Sequence, residues 1–128
     1  MNKLTLITAL IATTLSSAAV AADWVRVGAG VAGNIFYVDR ESIRTMPNGY
    51  KRAWVRVVYS EPINGPAGVA DTSEVLMEYD CDEGRSRSIE LTFFRGDEFV
   101  IRERDASGWS YIRPDSVSNT FMEYVCSR

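Results

Sequence analysis

Few residues in this sequence have the type and spacing for covalent chemistry. Histidine is absent, which removes the commonest general base and the commonest metal ligand. The only thiols are Cys81 and Cys126. In an exported chain two cysteines most simply form one disulfide, and neither is then a nucleophile. Glu78 and Glu90 could stand on neighbouring strands as the carboxylate pair that glycoside chemistry requires, yet charged sheet faces carry such pairs routinely. Asp80, Asp82 and Glu83 cluster without the spacing and central glycine of a calcium loop. Pairing of that strand end with Arg85 or Arg87 is the better reading. Gly28, Gly30 and Gly33 match G-x-G-x-x-G, but a dinucleotide site needs a helix to open there. A β-rich run, Asn34 to Asp39, follows instead, so a hairpin loop is expected. No nucleophile, base and orienting group can be assembled. The expectation is a protein that is not an enzyme and uses no metal or cofactor.

Two stretches suit recognition better than catalysis. In the long run Tyr50 to Tyr59, alternation places Arg52, Trp54, Arg56 and Val58 on one face. Tryptophan and arginine are the usual anchors of protein interfaces, so this face could serve a protein ligand or a second copy of the chain. The plainer reading is a solvated face whose ring is covered by arginine stems. The second stretch, Arg95-Gly96-Asp97, falls between two strands. Gly-Asp is good turn chemistry, and the same tripeptide on a tight loop is what many integrins bind. A third option is a small apolar site on the sheet, lined by Trp54, Leu76 and Phe94.

The first residues read as an address. Lys3 precedes an apolar run from Leu4 to Leu15, and Ala19-Val20-Ala21 suits cleavage after Ala21 or one residue later. The run is too short for a membrane span, which needs about 20 apolar residues, so residues 1–22 are predicted to be a secretory signal peptide. Cysteine is absent from the cleavage point, so lipid anchoring is not expected. Residues 23–128 suffice for one domain with one core. Removing Lys3 and no acid takes the formal charge from −3 to about −4. That balance argues against nucleic acid as a partner.

The elements that must position these residues are mostly strands. Trp24 to Val27 alternates as a first strand, and Asn34 to Asp39 makes a second. Asp39 can cap a single turn through Arg40-Glu41-Ser42-Ile43. In Tyr50 to Tyr59, Ala53, Val55, Val57 and Tyr59 share the apolar face. Glu61 to Asp71, with two prolines and no periodicity, reads as a loop. Ser73 to Cys81 turns Val75, Met77, Tyr79 and Cys81 one way and Glu74, Leu76, Glu78 and Asp80 the other. In Arg85 to Phe94, alternation puts Ile89, Leu91 and Phe93 on one face together with Arg85 and Arg87. Glu98 to Ile101 closes a hairpin, and Arg102-Glu103-Arg104-Asp105 extends it as a charged edge. A short aromatic segment, Trp109 to Ile112, precedes a helix started by Pro114 and Asp115, with aspartate as cap. Val117, Phe121, Tyr124 and Val125 form its apolar stripe, with Cys126 beside them. The elements therefore read as α+β: about six strands, several joined by hairpin turns, and one C-terminal helix. A Cys81–Cys126 bond would clamp that helix to the sheet.

The order of these pieces resembles the surface-adhesin E family of small exported bacterial proteins. The matching elements run from Trp24-Val25, through Tyr37-Val38-Asp39 with Ser42-Ile43, to Trp54-Val55. They continue with Glu78-Tyr79-Asp80-Cys81 followed by Arg85 and Arg87, then Trp109, then Pro114-Asp115-Ser116 leading to Val125-Cys126. The resemblance implies a mainly antiparallel sheet with the C-terminal helix packed on one face, the Cys81–Cys126 disulfide, and a non-enzymatic role binding host matrix proteins such as vitronectin and laminin. The lipid-attachment cysteine of the family's surface-displayed member has no counterpart here. An adhesin-like binding module is the leading expectation. The alternative is a periplasmic envelope protein with no host ligand.

Overall fold

Alternation decides which side of each strand is apolar, and a single helix decides which side of the sheet becomes the core. The computed structural model describes residues 21–104 and 106–128. The predicted signal peptide therefore lies outside the described residues except for Ala21 and Ala22. The strands are β1 Trp24–Ala29, β2 Ile35–Asp39, β3 Arg44–Thr45, β4 Lys51–Gly65, β5 Gly68–Asp80, β6 Arg85–Arg95, β7 Glu98–Glu103 and β8 Ser110–Tyr111. They end in one helix, α1, over Val117–Cys126. The strands form one antiparallel sheet in the order β1-β2-β4-β5-β6-β7, with β3 added to β4 and β8 to β6. The α+β class, the six-strand path and the C-terminal helix all agree with the sequence pattern.

The apolar face of the central strands is the core. Val38, Ala53, Val55 and Tyr79 are buried there, with Val57, Val75, Met77 and Cys81 packed against them. Helix α1 lays Phe121 and Val125 onto this row, and burial of each is worth about 1.5–3 kcal/mol. Phe121 meets Phe36 edge-on, with ring centroids 5.7 Å apart. The close packing explains two glycines, Gly28 near the end of β1 and Gly30 just past it. A Cβ on Gly28 would come within 3.3 Å of Thr120, and one on Gly30 within 3.3 Å of Phe36. Burial pushes the Tyr79 phenol well above its ordinary range, as expected for a ring lying inside the core. Asp39 caps the short turn Arg40–Ser42 by accepting from the Glu41 amide at 3.1 Å.

Four expectations are corrected. Glu61 to Asp71 is not a loop: β4 and β5 pair through Ile63 with Ala70, Asn64 with Val69 and Gly65 with Gly68. Tyr59 to Pro62 bulge out of that ladder, which hides the alternation. Arg85 and Arg87 do not share a face with Leu91 and Phe93. Leu76 pairs with Glu90 but Met77 pairs with Ser88, so Ile89 is an extra residue, and a one-residue bulge inverts every side chain before it. Helix α1 starts later than predicted, with Ser116 rather than Asp115 as its cap, accepting from the Asn119 amide at 3.2 Å. Finally, Val117 is exposed, so the stripe begins at Phe121. Of the charged edge, Asp105 lies outside the described residues.

Cys81, one residue past β5, and Cys126, the last residue of α1, are joined by a disulfide with Cα atoms 5.8 Å apart. It ties the far end of the helix to the middle of the sheet across 45 residues of sequence. Closing a loop of that length is worth about 4 kcal/mol in the chain-entropy account. Cys81→Ser is therefore expected to lower the thermal midpoint by more than about 10 °C. An unchanged midpoint in non-reducing buffer would show that packing alone holds α1 in place.

Candidate functional site

The face opposite α1 carries the polar alternates of every strand. Register sets them in rows across the sheet. One row runs Arg26, Tyr37, Arg56, Glu74, Thr92 and Arg102. The next contains Trp54, Leu76 and Glu90, and the one after it Arg44, Arg52, Glu78 and Arg87. The bulge at Ile89 brings Arg85 and Arg87 onto this face, where the sequence pattern alone had placed them on the other.

Glu78 is the centre of the face. Its side chain is 0% exposed, while those of Arg52 and Arg87 keep 35% and 31%. Arg52 donates Nε to Oε2 at 2.5 Å, and Arg87 donates Nε and Nη2 to Oε1 at 3.2 and 2.8 Å. A buried carboxylate is tolerable only when paired and hydrogen-bonded in this way. Around it, Arg56 pairs with Glu74 at 2.5 Å, and Arg102 and Arg104 share Glu90 at 3.2 and 3.3 Å. Glu78 and Glu90 thus stand on one face, each held between two arginines rather than facing one another. Asp80 pairs with Arg85 at 3.0 Å. Burial works to raise the Asp80 carboxyl, but the Glu83 amide and the Arg85 guanidinium outweigh it and hold it below the ordinary carboxylate range.

The tryptophans interleave with these arginines. The Arg56 guanidinium lies 3.9 Å from the Trp24 ring centre, and those of Arg85 and Arg87 lie 4.7 and 4.8 Å from that of Trp109. Tyr50 meets Trp109 edge-on at 5.0 Å. Each such cation–π contact contributes about 0.5–1 kcal/mol, and together they fix side chains that would otherwise be free to rotate.

The residues singled out from sequence fall in two places. Arg52, Trp54 and Arg56 stand together on β4, half-buried, and both arginines are engaged in ion pairs. Arg95, Gly96 and Asp97 are all exposed at the tip of the β6–β7 hairpin. Gly96 takes φ +58° there and donates its amide to Asp71 Oδ2 at 2.8 Å. Arg95 lines one cavity with Val69 and Phe99, whereas Asp97 lines another with Arg56 and Asp71. The two charges of the tripeptide therefore line different cavities. Trp54 and Leu76 line a common cavity, but Phe94 belongs to the one beside Asp97; the apolar site expected from those three is not assembled. Sequence reasoning missed Arg44, which β3 delivers opposite Arg52, and did not place Trp24 and Trp109 against arginines. Only the tertiary pairing brings them there.

A family model described as surface-adhesin protein E matches residues 24–127. The chain belongs to the surface-adhesin protein E family. It is similar in structure to Haemophilus influenzae protein E, with a TM-score of 0.61 at 16% identity over 85% of this chain and 87% of that one. A second crystal form of that protein gives 0.62 over 85% and 91%. Protein E from non-typeable Haemophilus influenzae gives 0.58 at 16% identity over 87% and 80%. At this identity the likeness is one of fold. No curated protein sequence matches the chain. Among the described residues, no helix is long and apolar enough to cross a membrane and no group of acids and cysteines is placed to hold a metal ion.

On this adhesin-family sheet the Asp80–Arg85 contact makes stability depend on acid. A carboxyl whose folded value is depressed contributes above its unfolded value, about 3.9, and loses that contribution as pH falls through the folded value. Asp80→Asn is expected to melt lower than the wild type near neutrality and to lose less stability below about pH 4. Parallel acid limbs in the two proteins, measured by thermal melts across pH, would contradict the assignment.

Proposed function

We propose that the chain is an exported, adhesin-like binding module that engages a protein ligand, such as a host extracellular-matrix protein, with the helix-free face of its sheet. The observation that carries this reading is the presence of all three tryptophans on that face, interleaved with arginines. Tryptophan and arginine dominate interface hot spots. Side chains already fixed by ion pairs and ring contacts lose little freedom when a partner docks. Family membership supports surface display, and residues 1–22 would serve as the export signal. Binding rather than catalysis is supported by the lack of histidine and the engagement of both cysteines in one disulfide.

The Arg95-Gly96-Asp97 turn is a second reading, favoured by its exposure at a hairpin tip. It would engage a receptor that reads Arg-Gly-Asp rather than a matrix protein docked on the face.

Protease shaving of intact producing cells, followed by immunodetection, is expected to remove the protein. Immobilised vitronectin or laminin is expected to retain the wild type, and Trp54→Ala about tenfold less well at an unchanged fold. Asp97→Glu should bind as the wild type does; a selective loss there would move the site to the turn. Protection from protease until the outer membrane is opened would place the chain in the periplasm and overturn the adhesin reading.

A further inference from the structure

Register sets Arg44 of β3 directly opposite Arg52 of β4. Like charges in that position repel, and sheets ordinarily avoid them. Arg52 is tied to Glu78, but that carboxylate is shared with Arg87. Among the described residues no carboxylate forms an ion pair with Arg44. Three guanidiniums in one row thus have a single carboxylate between them, and the excess charge gathers at the Arg44 end.

Beside that end lies a cavity of about 280 Å³, lined by Ser42, Arg44, Met46, Arg52, Trp54 and Leu76. It has two kinds of wall. Trp54 and Leu76 stand opposite each other on neighbouring strands and, with Met46, make an apolar side; Arg44 and Arg52 make a cationic one. The walls are held by their own hydrogen bonds. The Trp54 amide donates to Ser42 Oγ at 2.9 Å, and that hydroxyl donates to the Asp39 carbonyl at 2.7 Å. The Met46 amide donates to the Tyr50 carbonyl at 2.7 Å. These bonds fix the backbone beneath the walls, so only side chains, chiefly that of the exposed Arg44, remain to be ordered on binding.

We propose that this cavity binds a carboxylate carried beside an apolar or aromatic group, with the carboxylate between Arg44 and Arg52 and the apolar part against Trp54, Leu76 and Met46. Guanidinium forks match carboxylates in geometry and charge. An anion placed there also relieves the repulsion between the two arginines. A hydrated inorganic anion would leave the indole wall unused, and a neutral apolar molecule would leave the repulsion standing. The inference rests on the reading of this face as the ligand surface, and gives that reading a ligand chemistry. The carboxylate could come from a free organic acid or from an acidic residue next to an apolar one in a protein segment.

The test is a titration of the purified, oxidised protein with hydrocinnamate, followed by NMR of the Trp54 indole N–H. Saturable shifts of Trp54 are expected, with the uncharged amide of hydrocinnamate binding about tenfold more weakly. Arg44→Gln should weaken hydrocinnamate by a similar factor while melting no lower than the wild type, because a like-charge pair is removed. A capped peptide containing Phe-Glu that binds more tightly than hydrocinnamate would assign the site to a protein segment; the reverse order would assign it to a free acid. No saturable shift at Trp54, or equal binding of acid and amide, would overturn the proposal. Failure of both probes with capture by matrix protein intact would sink the cavity and leave the face standing; probe binding without capture would do the opposite.

Discussion

One buried carboxylate organises the helix-free side of this protein. Glu78 is enclosed in the middle of the sheet, and its two oxygens are claimed by arginines from the strands on either side. Leaving such a group unpaired is costly, far more than the pair itself contributes over an apolar substitute. The constraint therefore acts through position. It fixes the planes of Arg52 and Arg87, and Arg87 with Arg85 fixes the ring of Trp109. A face that could have been a loose field of long side chains becomes an ordered surface of rings and guanidiniums.

The two sides of the sheet divide the work. On one, α1 and the Cys81–Cys126 bond seal an apolar core around Val38, Val55 and Tyr79. On the other, Trp54 stays half-buried beside an open cavity, and the cations there outnumber the carboxylates they pair with at Glu78 and Glu90. A chain whose overall formal charge is −3 thus presents a locally cationic, aromatic face. Such local excess steers a partner more than net charge does.

Much of the core was legible in the sequence, because alternation in Ser73 to Cys81 and helical spacing in Phe121 to Val125 are local signals. The side to which Cys81 points follows from the same alternation. Where pairing between distant segments decides the outcome, the pattern fails. The bulge at Ile89 exists because β6 must match β5, and nothing in Arg85 to Phe94 announces it. The ladder through Ile63 and Ala70 is hidden by the four residues that bulge before it. Candidate site residues divide in the same way. Arg52, Trp54 and Arg56 were visible as a motif on one strand. The repulsive partner of Arg52 comes from β3, only two residues long, and Trp109 comes from far along the chain to reach the Glu78 row.

If Glu78 holds the helix-free face in shape, Glu78→Gln is the variant that shows it. The arginines left behind are about a third exposed and can turn to water, so the cost should be about 2 kcal/mol rather than the full penalty of an orphaned buried charge. The measurement is a thermal melt paired with NMR of the three indole N–H groups. The expected result is a midpoint lower by roughly 10 °C, with the Trp109 indole shifted and that of Trp24, which rests on the Arg56–Glu74 pair, largely unmoved. An unchanged midpoint and an unmoved Trp109 would mean that the face keeps its form without the carboxylate, and the central claim would fall.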